Sequence, residues 1–163
     1  MSTAFPSGTT GARAHDHDAC LARSLAAAER VCGERGLRLT PQRRRVLEVV
    51  AAGHAAIGAY EIIDALAAEG RRPAPISVYR ALDFLVAQGL VHRVDSLSAF
   101  VLCASPGSNH RAQFLICQRC RDIAELRSDA VNAAIGEGAA AVGFSVSSAV
   151  VEVSGLCRAC SRV

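Results

Sequence analysis

The sequence contains no tryptophan, no lysine and only 4% aromatic residues. All 18 basic residues are therefore arginine, and the net charge of +3 by itself identifies no partner. Long apolar runs are lacking too, which excludes a bilayer-spanning segment, and residues 1–19 have no apolar centre of a signal peptide. We therefore expect a cytoplasmic protein without a membrane partner, in which thiols stay reduced. Its 51% apolar content is typical of a globular, alanine-rich helical protein.

Cysteine, in contrast, is frequent, and four of the seven cysteines form two Cys-x-x-Cys pairs, Cys117 with Cys120 and Cys157 with Cys160. One such loop lets two thiolates face one ion, and two loops supply the tetrahedral set that structural zinc prefers. A thioredoxin-like oxidoreductase would place its pair at a helix start in a βαβ context, which the helical N-terminal half lacks. The pairs predict a four-cysteine zinc site that holds the fold.

A second set of potential ligands lies within residues 90–125 and mixes two imidazoles, a thiolate and a carboxylate: His92, Cys103, His110 and Glu125. Two chemically different sets indicate two ions, one that holds the fold and one that is sensed. A zinc hydrolase or deaminase would carry His-x-Glu beside Pro-Cys-x-x-Cys, and neither pattern occurs. We therefore expect no enzyme and no small organic substrate.

The N-terminal half has the pattern of short helices followed by a strand hairpin. Thr40 is a natural N-cap, Pro41 suits the first helical position, and Ser77 is read as the cap of the fourth helix. In that helix Arg80 points away from the apolar stripe, and Phe84 lies off the stripe without an evident partner. The predicted helices cover 20–35, a segment from Pro41, 59–69 and 78–88, and the predicted strands cover 91–94 and 99–103. This is the order of a winged helix-turn-helix, in which Arg80 would contact guanine; a solvated surface charge is the alternative.

The C-terminal part predicts a small sheet and one helix, with too little core to stand without a zinc staple. Expected strands are 114–117, 123–126 and 144–153, and the helix is 128–141. The fold class is α+β. The expected organisation is a mobile tail (1–19), a winged-helix DNA-binding domain (20–103), a hinge and linker (104–112) and a dimerisation domain (113–163).

Several of these segments together resemble the ferric uptake regulator family, and most closely its zinc uptake regulator branch. The resemblance covers about residues 20–160 and is carried by Leu39–Arg43, Ala59–Asp64, Val78–Leu85, Gly89–His92, Phe100–Cys103, Ile116–Cys120 and Gly155–Cys160. It implies a dimeric, metal-activated repressor that binds palindromic operators. Iron and peroxide sensors of this family carry a histidine-rich run before the first cysteine pair, whereas residues 107–113 keep one histidine and Cys103 adds a soft thiolate. The favoured function is therefore a zinc-responsive repressor of zinc-uptake genes, and an iron, manganese or peroxide sensor is the alternative.

The resemblance also implies roles for individual residues and two zinc ions per chain. The structural zinc would bind Cys117, Cys120, Cys157 and Cys160, and the regulatory zinc would bind His92, Cys103, His110 and Glu125. The partner would be a double-stranded DNA operator, contacted by Arg80, Tyr60, Tyr79, Arg43 and Ser77, with two chains forming a homodimer. His15 and His17 belong either to a solvated tail or to a further metal site; His54 is read as a loop residue, Cys32 as a core residue, and Cys20 stays unassigned.

Overall fold

The structure is a computed structural model that describes residues 17–53, 55–70, 72–108 and 112–162. These residues form two compact units, residues 17–108 and residues 112–162, with the boundary between Ser108 and Asn109. His15, His54 and His110 lie outside the described residues, as does most of the predicted tail. None of the helices formed by the described residues has the length and apolar content that crossing a membrane requires.

The N-terminal unit consists of four helices and a three-stranded antiparallel sheet. The helices are α1 (His17–Glu34), α2 (Pro41–Ala51), α3 (Ala59–Ala68) and α4 (Pro75–Ala87), and the strands are β1 (Ile57–Gly58), β2 (Val91–Val94) and β3 (Ala99–Leu102). The strand order is β1-β3-β2, with His92 opposite Val101 in the hairpin. Apolar faces of all four helices meet β2 and β3 in one core, in which Cys32 is buried as predicted.

Local signals in the sequence explain most of these helix boundaries. The Thr40 hydroxyl accepts a hydrogen bond from the Arg43 backbone, and Pro41 takes the first position of α2, as predicted. Gly36 and Gly89, after α1 and α4, have φ angles of +64° and +66°, which only glycine adopts without strain. In both places the next amide returns to a carbonyl five residues back, which is the Schellman ending of a helix.

The fourth helix begins earlier than the sequence predicted. Pro75 occupies its first turn and Ala74 its N-cap, so Ser77 is the third helical residue and not a cap. Proline in the first turn costs no hydrogen bond, and its fixed φ suits a helix, so the helix starts at Pro75 and not after Ser77. The two-residue strand β1, which pairs with Ala99 and Phe100 of β3, was not predicted either.

The C-terminal unit is a three-stranded sheet with one helix. It contains β4 (Gln113–Cys117), β5 (Ile123–Leu126), α5 (Asp129–Ala141) and β6 (Val151–Gly155) in the strand order β5-β4-β6. β4 pairs antiparallel with β5 and parallel with β6. The prediction of a strand over 144–153 is wrong in its extent. Only residues that lie beside β4 form the strand, and Phe144 and Val150 before it are exposed.

Candidate metal sites and DNA-binding face

Two loops at one edge of the C-terminal sheet hold the four cysteines of the predicted zinc site. β4 ends at Cys117, and β6 runs parallel beside it, with Gly155 opposite Cys117. Because the two strands end side by side, the loop from Cys117 to Cys120 and the loop from Cys157 to Cys160 also start side by side. All four Sγ atoms lie within 4.8 Å of one another. The predicted gathering of these cysteines is confirmed.

The spacing of the sulfur atoms fits a zinc ion. Zinc–thiolate bonds of about 2.3 Å place the sulfur atoms of a tetrahedral site about 3.8 Å apart. The Sγ atoms of Cys120 and Cys157 are 3.7 Å apart, and all four cysteines are free thiols. Four protein ligands leave no open position, which is typical of a structural site and not of a catalytic one.

Hydrogen bonding and burial give the thiols of this site different pKa values. Backbone hydrogen bonds from Cys120 and Cys157 lower the pKa of Cys117 to about 6, and the Cys157 amide lies 3.4 Å from the Cys117 sulfur. At Cys120 a backbone hydrogen bond with Asp122 lowers the pKa, but burial and the neighbouring thiols outweigh it, so the pKa of Cys120 is raised. Burial and then the Cys157 thiol raise the pKa of Cys160. Cys117 therefore offers a thiolate at neutral pH, whereas Cys120 and Cys160 must lose protons before they bind a metal.

Contacts between the two loops help to hold the cysteines in place. The Gln118 amide donates to the Gly155 carbonyl at 2.9 Å, which continues the β4–β6 pairing beyond the strand. Arg119 Nη1 donates to the Cys160 carbonyl at 3.3 Å, so its side chain joins the first cysteine pair to the second. A role for Arg119 was not predicted from the sequence. Its position inside a Cys-x-x-Cys pair was the only available signal.

The ligands of the predicted second metal site belong to both units. In the N-terminal unit, His92 lies in β2 and Cys103 directly follows β3, and a ring nitrogen of His92 lies within 4.8 Å of the Cys103 sulfur. The Cys103 amide donates to the Leu90 carbonyl at 3.0 Å, which holds the cysteine beside the hairpin, and the side chain is 2% exposed. In the C-terminal unit, Glu125 lies in β5 opposite Phe114, with Arg127 Nε 3.9 Å from its carboxylate. The hairpin thus holds one imidazole and one thiolate close enough for one ion.

One face of α4 is exposed to solvent. Val78, Leu82 and Leu85 are buried, which fixes the opposite side of the helix toward solvent. Ile76, Tyr79 and Arg80 are exposed on the first two turns, and Ser77 is half-buried. Tyr60, at the second residue of α3, is 69% exposed, an unusual value for a tyrosine that only seals a core. Within the part of the chain that the structure describes, the Arg80 guanidinium forms no ion pair or hydrogen bond.

In contrast to Arg80, the arginines at the start of α2 have partners within the N-terminal unit. Arg44 pairs with Glu29 and Glu48, and Arg45 pairs with Glu48 and Glu69. These pairs form one network that joins α1 and α2 to Glu69, the residue that follows α3. Arg43 turns toward α4, where its guanidinium lies over the ring of Phe84. The basic cluster is therefore engaged largely within the unit itself.

These features together define a metal-binding protein in two units, one built on a four-thiolate site and the other exposing an arginine on a helix. The sequence profile of the ferric uptake regulator family matches residues 34–154, and the chain belongs to this family, whose members are transcriptional regulators.

Several relatives of the chain are zinc uptake regulators. The chain is 41% identical to the zinc uptake regulation protein of Escherichia coli K12 over 140 residues, which cover 85% of this chain and 82% of that protein. A solved zinc uptake regulator complexed with zinc and DNA has a TM-score of 0.83 and 39% identity, covering 87% of this chain and 95% of that one. The crystal structure of holo XcZur has a TM-score of 0.78 and 44% identity, covering 85% and 97%. The resemblance inferred from the sequence is confirmed.

Proposed function

We propose that this protein is a zinc-responsive transcriptional repressor that acts in the cytoplasm on the operators of zinc-uptake genes. The observation that carries the proposal is the pair of His92 and Cys103, whose nitrogen and sulfur lie within 4.8 Å on one hairpin. A thiolate beside an imidazole suits zinc, whereas iron and manganese sensing favours oxygen- and nitrogen-rich sites. The similarity to a regulator that was solved with both zinc and DNA supports the same function.

We infer two zinc ions per chain with different tasks. Cys117, Cys120, Cys157 and Cys160 would hold a structural ion, since their sulfur spacing suits a closed tetrahedral site. His92, Cys103, His110 and Glu125 would hold the regulatory ion. Because Glu125 belongs to the C-terminal unit and His92 and Cys103 to the N-terminal one, these four ligands together would cross-link the two units.

The cross-link supplies the proposed mechanism. Residues 104–112 would act as a hinge and linker between a winged helix-turn-helix domain (20–103) and a dimerisation domain (113–163). When the four regulatory ligands share one ion, the two α4 helices of a homodimer would keep one separation, which a palindromic operator requires. Allosteric couplings of about 1–3 kcal/mol are ordinary, and each ~1.4 kcal/mol changes operator affinity tenfold.

The proposed DNA contacts lie on the exposed face described above. Arg80 would enter the major groove and donate to a guanine edge, because its guanidinium has no competing partner among the described residues. Tyr60 and Tyr79 would also contact the DNA through their exposed side chains, and Ser77, in the first turn of α4, would contact the DNA backbone. No organic substrate has a place in this mechanism, so we expect no enzymatic activity.

The first experiment is a comparison of metals on one operator. Zinc-loaded protein would select a binding duplex from random-sequence DNA, and its affinity would then be titrated against buffered zinc, iron and manganese in parallel. We expect tight binding with zinc at the lowest free concentration. A response to iron or manganese at lower free concentration, or to peroxide, would favour the alternative sensor of the same family.

Metal content tests the two-ion assignment separately. Purified protein should contain two zinc ions per chain, and a mild chelator should remove one while the fold persists. One ion or none in folded protein that binds the operator would contradict the assignment. Small-angle scattering of zinc-loaded and partly depleted dimers should differ, and identical curves would contradict the hinge.

A further inference from the structure

The contact between Arg43 and Phe84 joins the start of α2 to the exposed helix α4. The guanidinium carbon of Arg43 is 3.5 Å from the centre of the Phe84 ring, and Arg43 Nη1 donates to the Arg38 carbonyl at 2.7 Å. Arg43 is half-buried, so both contacts use a side chain that is already partly removed from water. This arrangement gives Phe84, which lies off the apolar stripe of α4, a specific partner.

Arg43 lies in the first turn of α2, where its positive charge needs compensation. The N-terminal turn of a helix carries positive partial charge, so arginines are unfavourable there, and α2 has no acidic residue in its first turn. Arg44 and Arg45 are compensated by carboxylates. Arg43 forms no ion pair with any residue that the structure describes, and the electron-rich face of Phe84 and one carbonyl take that role instead.

Phe84 and Arg80 are four residues apart on α4 and therefore lie one above the other on the helix. A guanidinium stacked on Phe84 thus restrains the rotation of α4 one turn away from Arg80. A second contact restrains the end of the same helix, since Arg35 Nη1 donates to the side-chain and backbone oxygens of Gln88 at 2.9 and 3.1 Å. Both restraints act near the C-terminal end of α4, whereas the exposed Ile76, Tyr79 and Arg80 lie on its first two turns.

We propose that Arg43 is a positioning residue, which sets the rotation of α4 through Phe84 so that Arg80 meets its base, and that Arg43 itself contacts no phosphate. This rests on the proposed DNA-binding function. A positioning role and a phosphate contact require different properties of the Arg43 side chain. A phosphate contact needs a positive charge, which lysine also provides, whereas stacking needs the planar guanidinium and the ring.

Three variants and a matched control separate these roles. Arg43→Lys keeps the charge and removes the planar group, Arg43→Gln removes both, and Phe84→Leu keeps the charge and removes the ring. Arg44→Lys is the control, because it makes the same replacement one residue further along α2, where an ammonium can still pair with Glu29 and Glu48. Binding to the selected operator and to scrambled DNA is measured for each over a range of salt concentrations, after circular dichroism and zinc content establish an intact fold.

If Arg43 positions α4, Arg43→Lys and Phe84→Leu should each weaken operator binding about threefold to tenfold, the range of a cation–π contact. A further variant that combines these two changes should be little worse than either alone. Affinity for scrambled DNA, the salt dependence of all variants and the Arg44→Lys control should match the wild type. Wild-type operator affinity for Arg43→Lys and Phe84→Leu, with a smaller salt slope for Arg43→Gln, would overturn the proposal and assign a phosphate contact. If the wild type itself discriminates no operator, the proposed function fails instead, which is a distinct result.

Discussion

Replacement of Cys117 by serine is the sharpest test of how the C-terminal unit is held together. Cys117 is 1% exposed, ends the central strand β4 and accepts a hydrogen bond from the Cys157 amide. Serine keeps an acceptor of similar size there, so the packing changes little. The change therefore removes mainly one of the four thiolates, and three thiolates bind zinc much more weakly than four.

The expected loss of stability follows from the small core of this unit. Its large buried apolar side chains are Phe114, Ile116 and Ile123, and α5 contributes no buried residue. Each fully buried side chain of this size contributes about 1.5–3 kcal/mol, less in total than the ~10–16 kcal/mol that a structural zinc supplies in small domains. Since whole domains are stable by only about 5–15 kcal/mol, we expect residues 112–162 to unfold in Cys117→Ser at room temperature.

Hydrogen exchange resolved along the chain measures this directly. Amides of β4 and β6 should lose protection, while amides of α2, in the separate N-terminal core, should keep it, and size-exclusion chromatography should report a monomer. Cys103→Ser is the matched control, because it makes the same replacement at a buried cysteine outside the four-thiolate cluster. Full protection of β4 in Cys117→Ser would refute the view that zinc holds this unit.

Three further predictions concern the other residues. Cys103→Ser should remain a folded dimer with one zinc ion per chain and weak, zinc-independent operator binding; an unchanged zinc response would place the regulatory site elsewhere. Arg80→Ala should change the free energy of unfolding by less than about 0.5 kcal/mol and weaken operator binding by ~1–3 kcal/mol per half-site. Equal losses on scrambled DNA would instead show that Arg80 contacts the DNA backbone. Zinc affinity at the four cysteines should rise with pH. The lowered pKa of Cys117, about 6, keeps its thiolate available down to that pH, whereas zinc must displace protons from Cys120 and Cys160, whose pKa values are raised. Metal analysis after dialysis at about pH 5–9 should therefore show more bound zinc at higher pH.

Elements with a strong local signal were predictable from the sequence. The start of α2 followed from Thr40 and Pro41, the ends of α1 and α4 lie at Gly36 and Gly89, and β5 occupies the predicted residues 123–126. The gathering of the four cysteines followed from the spacing within each pair. In these cases a few neighbouring residues determine the structure, so the sequence nearby contains the needed information.

Features that depend on distant residues were not predictable. β1 has only two residues and exists because β3 lies beside it, and β6 extends only as far as β4 can pair with it. The same holds for Phe84, whose position off the apolar stripe gave no indication that Arg43, on another helix, covers its ring. The place of Arg119 between the cysteine loops is a tertiary contact of the same kind.

The parallel pairing of β4 with β6 also sets the order in which a new chain matures. β4 is synthesised before β5, α5 and β6, so one of its edges has no partner until residues 151–155 have followed. The N-terminal unit ends at Ser108, so its residues are synthesised first, and domains generally fold as units while synthesis continues. A nascent chain therefore acquires its exposed arginine before the unit proposed to join two chains can close. Unfinished chains would thus present single α4 helices, which would not compete with the proposed dimers for a palindromic operator.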